Sequence, residues 1–295
     1  MIWVYMTIFA ALMQTWRNSL QSELSSHINV VGVTLARFIW AGPIAACYLF
    51  VLYQLPQAQN LSIPDFDNRF YLLVLGASIV QIIATGLLVL LFKQNNFAIG
   101  AGLAKSEAII AAIIGSIFLG TALSPIGWGG VLIGSIAVFY MSNTKRVQGL
   151  SLKTLSIGLT CGCCFALTSL AIREASLMLD LPFLHRAAWV LVLVICTQTL
   201  ILISYLLATD RETFKKLFSY KKLTLMTSIT SCLGSIGWFT AMSLQSVPYV
   251  KTLGQVEVLF TLLFSTYYLK QKVTKKDTIS LILIAIAAIM VTWKA

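Results

Sequence analysis

The chain divides into ten continuous apolar runs joined by short polar connections, near 2–21, 29–52, 70–92, 97–119, 124–142, 152–172, 184–208, 223–244, 248–269 and 277–293. At about 1.5 Å per helical residue, runs of about 17–25 residues reach across a hydrocarbon layer about 30 Å thick. Their apolarity is continuous rather than alternating. This predicts helices, which satisfy their own backbone in lipid, and not barrel strands. Hydrophobic residues fill 58% of the 295 positions and charged residues 11%, with a mean hydropathy of +0.87. Too little polar surface remains for a soluble domain. The expected fold is an all-α integral membrane protein with ten transmembrane helices.

Only two connections are long, 54–69 and 209–222, and neither is large enough for a domain of its own. Short connections make sequential helices antiparallel neighbours in one bundle. The net charge of +11 would suit nucleic acid if it formed a stripe interleaved with aromatics, but the basic residues fall in small groups between apolar runs. No nucleic-acid partner is expected, and the charges read as orientation signals. Fourteen lysines and arginines flank or fill the connections after the odd-numbered runs, Arg17 among them, against five on the opposite side, including Arg173, Arg186 and Lys251. By the positive-inside rule both termini face away from the cytoplasm of a multi-pass protein in the cytoplasmic (inner or plasma) membrane. The N-terminus shows no basic stretch and no small-residue cleavage site, so the first run is expected to stay in the mature protein.

Metal and enzymatic signatures are missing from the pattern. The six cysteines lie within apolar runs without ligand spacing to the two histidines, which predicts buried structural thiols and no cofactor. There is no zinc-peptidase helix motif, no nucleophile elbow and no phosphate-binding glycine loop. An interfacial membrane enzyme would have to draw on His27, His185 and Asp180.

Two of the five glutamates lie deep within apolar runs. Glu257 is roughly nine residues into the run that starts at Tyr249, about 12–15 Å from one face of the layer. A carboxylate there costs at least a few kcal/mol, so it calls for a reason. Glu107 stands 150 positions earlier, and each acid follows a small residue by three places, Ala104 and Gly254. Arg37 and Trp40 are similarly echoed by Arg186 and Trp189. The chain is therefore expected to hold a five-span repeat at 1–142, a connector at 143–151 and a second repeat at 152–295. Five is odd, so the second copy enters the membrane from the other side and the repeat is inverted.

This arrangement resembles the EamA-type branch of the drug/metabolite transporter superfamily over essentially the whole chain. The residues that carry the resemblance are Trp238 to Leu244, Tyr249 to Glu257 and the charged turn from Tyr268 to Thr274, together with an acid opening the second half of spans four and nine. Where the family has a proline after the acid, this chain has Ala108 and Val258; where it has a glutamate closing span four, it has Gly120-Thr121. The resemblance implies that spans one to four and six to nine surround a central cavity with spans five and ten outside. It also implies alternating access and, commonly, export of amino acids, other metabolites or drugs.

The candidate binding or coupling residues are Glu107, Glu257, Lys105, Gln255, Arg37, Arg186, Gln14, Gln81, Trp238 and Tyr249. A carboxylate exposed in turn to two solutions can exchange a proton for a cationic ligand, and guanidinium groups can hold a carboxylate. The structural alternative pairs Glu107 with Arg17 or Arg37 and Glu257 with Lys251 or Arg186, merely to hold helices together. Arg17 and Arg173 stand near span ends, where they can snorkel to the interface. Gly127, Gly129, Gly130 and Gly134 suit close helix packing, including packing between subunits of a homodimer. The expected function is secondary transport of a small polar metabolite, amino acid or amine-like, by an exporter in which protons are candidate coupling ions. The alternative within transport is an uptake permease working by facilitated diffusion.

Overall fold

A backbone amide left unpaired in lipid costs several kcal/mol, so apolar runs in this chain become helices and any break in them must be repaired by neighbours. The computed structural model describes residues 1–58, 61–93, 103–142, 152–268 and 275–293; the expected connector at 143–151 lies outside them. The helices are α1 (Ile2–Ser25), α2 (Val30–Ala36), α3 (Ala41–Tyr53), α4 (Asn68–Lys93), α5 (Glu107–Phe118), α6 (Pro125–Ser142) and α7 (Leu152–Leu177). They continue with α8 (Phe183–Thr209), α9 (Arg211–Ser219), α10 (Lys221–Leu244), α11 (Val247–Leu253), α12 (Glu257–Tyr268) and α13 (Lys275–Trp293). No strand occurs among the described residues.

Four stretches, Val30–Tyr53, Asn68–Lys93, Leu152–Leu177 and Phe183–Thr209, are by themselves long and apolar enough to cross a membrane. Glu107–Phe118, Pro125–Tyr140 and Thr278–Trp293 are shorter apolar helices. The long helices α1 and α10 are more polar because they turn Gln14, Arg17, Asn18 and Gln21, or a run of serines and threonines, inward. The surface is the reverse of a soluble protein's, with Leu72 at 70% and Ile117 at 68% exposure while charged groups are buried.

Lipid is as apolar as leucine, so helices associate through close packing and polar bonds rather than through escape from water. The most extensive pairings are α1 with α10, α4 with α7, and α6 with α13. In the first, a Cβ on Gly237 would lie 2.8 Å from the Met6 carbonyl and 2.9 Å from the Ala10 Cβ, so the two backbones nearly touch. The glycines of α6 are taken up within the chain: Gly127 abuts Tyr249, Gly129 and Gly130 abut Met290 and Val291, and Gly134 abuts Gln255. The stripe expected to suit a partner subunit is thus covered by the chain's own span nine and α13. Cys161 and Cys232 are buried thiols, as anticipated, but Cys47 is exposed.

The run at 29–52 is broken. Pro43 has no N–H to offer the Ile39 carbonyl and its ring crowds that carbonyl, so the helix stops at Ala36 and restarts at Ala41. Neighbouring hydroxyls repair the gap: Ser228 donates to the Ala36 carbonyl at 2.6 Å and accepts from Trp40 N at 3.2 Å, and Thr199 donates to the Phe38 carbonyl at 3.2 Å. The helix of span four turns at Lys105-Ser106 and restarts at Glu107. Span nine passes through a 3-10 turn at Gly254–Val256 and restarts at Glu257. Both acids therefore stand at helix breaks although neither has the family's proline. At the far end of α5, Gly120 with φ 61° lets Thr121 N reach back to the Gly115 carbonyl at 2.9 Å, closing the helix where relatives carry a glutamate.

Candidate functional site

The broken spans four and nine pack against each other, and charged groups from them and from the break in span two line one space. Glu257 opens α12 and is 3% exposed; Glu107 opens α5 and is 6% exposed. Each carboxylate takes its lysine from the other half of the chain. Lys105 Nζ forms an ion pair with Glu257 Oε2, and Lys251 Nζ lies 3.3 Å from Glu107 Oε2. Crossing of this kind corrects the pairings the sequence suggested, in which Arg17 or Arg37 held Glu107 and Lys251 or Arg186 held Glu257. Lys105 is two residues from Glu107 and cannot face it across a helix turn, but the turn at Lys105-Ser106 aims it at α12.

Glu257 is saturated by further donors from α1: Gln14 Nε2 at 2.6 Å to Oε2 and Asn18 Nδ2 at 2.8 Å to Oε1. Gln14 also accepts from Trp238 Nε1 at 2.9 Å, which fixes its amide orientation. The Trp238 ring in turn lies 4.4 Å from Lys251 Nζ, a cation–π contact that closes the circle from one ion pair to the other. Gly254 permits this: a Cβ there would collide with the Trp238 ring.

Arg17 and Arg37 are each 3% exposed, and among the described residues neither has a carboxylate partner. Arg17 donates to Asn18 Oδ1 at 2.8 and 3.3 Å. Arg37, in the break between α2 and α3, donates to Ser231 Oγ at 3.1 Å and Thr85 Oγ1 at 2.8 Å. Because α1 runs on to Ser25, Arg17 lies well inside the helix and does not snorkel. Removing Arg17 and Lys251 from the flanking charges leaves the basic asymmetry between the two sides standing.

Gln14, Arg17, Asn18, Arg37, Lys105, Glu107, Trp238, Lys251 and Glu257 line one cavity with Gln81, Ala104, Phe165, Thr168, Ser169, Ser235 and Met242. Gln81 accepts from Gln198 Nε2 at 2.7 Å. The walls come from spans one to four, six, eight and nine; α8 contributes none, and neither do α6 and α13. Free space amounts to about 50 Å³ for water-sized guests, which at about 10–15 Å³ each is a handful of waters. A metabolite can enter only if the walls move apart.

Three sequence candidates stand elsewhere. Arg186 donates to the Ser243 carbonyl, and Arg173 to the carbonyls of Met242 and Gln245 at 2.5 and 2.6 Å, so both arginines cap the C-terminus of α10, where free carbonyls gather. Tyr249 accepts at its hydroxyl from Ser124 N at 3.2 Å, and Gln255 packs against Gly134 with its amide unpartnered among the described residues. Thr85, Thr168, Ser169 and Ser231 escaped the sequence reading, since small hydroxyls inside apolar runs carry no positional signal. His27 and His185 lie near opposite ends of α8, about 40 Å at its 27 residues, and share no site. Among the described residues no cluster of three or more potential metal ligands occurs.

A multi-pass helical membrane protein with broken helices around a small charged cavity has the build of a membrane transporter. Residues 152–293 match the model of the EamA-like transporter family. The resemblance expected from Trp238 to Thr274 is borne out there. Twenty-seven chains of known structure also match. One, a crystal structure 14% identical in sequence, superposes with a TM-score of 0.66 over 97% of this chain and 99% of its own, which shows a common fold. No curated protein matches in sequence.

Proposed function

We propose that the chain is a secondary transporter of a small polar metabolite, working by alternating access as an exporter in the cytoplasmic membrane and exchanging its cargo for protons. It is built as ten spans in two inverted repeats. The pattern of packing supports the repeat: exchanging spans one to five for six to ten turns the α1–α10 contact into α4–α7, and leaves α6–α13 and α3–α8 mapped on themselves. Further support comes from basic α9 and the loop before α2, which lie together on the side with most positive charge, His27 stacking on Tyr220 at 4.7 Å.

The observation that carries the reading is the crossed pair of ion pairs. Each links one half of the chain to the other, across the interface that must open when the halves rock. A proton arriving at Glu257 or Glu107 neutralises the acid and releases its lysine, so protonation loosens the closed state. The cargo can do the same by competing for either partner. Flux into proteoliposomes, measured with and without a pH gradient, tests this. Glu107→Gln and Glu257→Gln are expected to lose proton-driven flux. Undiminished, still pH-sensitive flux in both variants would remove the acids from the mechanism, and wild-type flux indifferent to the gradient would point to facilitated diffusion.

A further inference from the structure

The cavity is lined by four cationic side chains, Arg17, Arg37, Lys105 and Lys251, against two anionic ones, Glu107 and Glu257, an excess of two positive charges. Both lysines are matched by the glutamates, so the excess sits on the two arginines. Their partners are an amide and two hydroxyls, which orient the forks and bring no charge. Each guanidinium has five donors and spends two among the described residues, which leaves donors on both for a ligand. Nearby, Thr168 is 2% exposed, its hydroxyl lacks a partner among the described residues, and it lines the same space.

We infer that the recognised part of the cargo is an oxyanion, a carboxylate or a phosphate, held by Arg17 and Arg37 with the Thr168 hydroxyl as a further donor. Guanidinium forks match both groups bidentately. An amine would have to evict a lysine from its glutamate and add to a positive excess, whereas an oxyanion offsets that excess. The present free space takes an anionic head group rather than a whole metabolite, in line with a closed cavity. This inference rests on the cavity being the transport pathway.

The test is thermal unfolding of the purified full chain in detergent at constant ionic strength, with succinate, glycerol 3-phosphate, putrescine or glucose added. Oxyanions are expected to raise Tm by about 5 °C near saturation, and putrescine and glucose not to. Which of succinate and glycerol 3-phosphate acts at lower concentration separates carboxylate from phosphate cargo. Arg37→Gln should abolish the shift and Arg37→Lys keep part of it. If Arg37→Gln fails to fold, Thr168→Val should weaken the shift severalfold. No stabilisation by either oxyanion, or equal stabilisation by putrescine, overturns the inference. Binding is read without transport: oxyanion stabilisation without flux would sink the transport reading alone, and putrescine flux without oxyanion stabilisation would sink this one alone.

Discussion

Lys105 and Glu257 show what an isolated charge would cost here. Glu257 accepts from Gln14 and Asn18 as well, but these are neutral, and among the described residues Lys105 is the one that forms an ion pair with it. Lys105→Gln should therefore destabilise the protein by about 3–5 kcal/mol, whereas Lys105→Gln combined with Glu257→Gln should cost less than either change alone. Thermal unfolding of the three variants reads the difference; a double variant as weak as the sum of its parts would mean that the groups do not interact. At this scale the sequence showed the acids through their depth in apolar runs. It could not show their partners, because Lys105 and Glu257 are 152 positions apart and meet only when two helix breaks are set side by side. Arg17 was misread for a simpler reason: the apolar run ends near residue 21, but the helix continues through polar Gln21 and Glu23 to Ser25.

Elements in this protein are defined as much by where they stop as by where they run. Pro43 accounts for the break in the run at 29–52, which the sequence suggested was continuous, but the breaks before Glu107 and Glu257 have no proline, and in the 3-10 turn at Gly254–Val256 the Trp238 ring packs against Gly254. Gly254→Val should force that ring away from Lys251 and lower stability by about 1–3 kcal/mol, seen as a lower Tm; an unchanged Tm would show that the ring has room to move. Outside the membrane, α9 is pinned by interlocked caps. Asp210 accepts from Thr213 N at 3.0 Å and from Asn29 Nδ2 at 2.8 Å, while Asn29 caps α2 through Gly32 N at 2.9 Å. The hydrogen bond from Thr213 N, with that from its hydroxyl, holds the Asp210 carboxyl below the usual carboxylate range. A group depressed in the folded state stabilises fully above its unfolded value, about 3.9, and loses that contribution as pH falls through the folded one. Amide exchange over Arg211–Ser219 should accordingly speed up, relative to an Asp210→Asn variant, as pH falls from about 5 to about 3; parallel behaviour of the two proteins would deny the cap a role.

As a whole the molecule is a polar interior wrapped in an apolar surface. That inversion was readable from composition and from the spacing of apolar runs, because both follow from the thickness of a bilayer. Packing between helices was less readable, since close approach depends on glycine and alanine at positions that look alike in sequence; the glycines of α6, which suggested a partner subunit, turned out to face α13 and span nine. The central claim is that the cavity at the crossed ion pairs opens to one side of the membrane at a time. It is tested most directly by Ser169→Cys, a lining position 3% exposed, with the native cysteines replaced, labelled by a membrane-impermeant maleimide from either side. The account predicts labelling from each side under different pH or cargo conditions, and never from both at once. Labelling from neither side under any condition, or from both together, would contradict it.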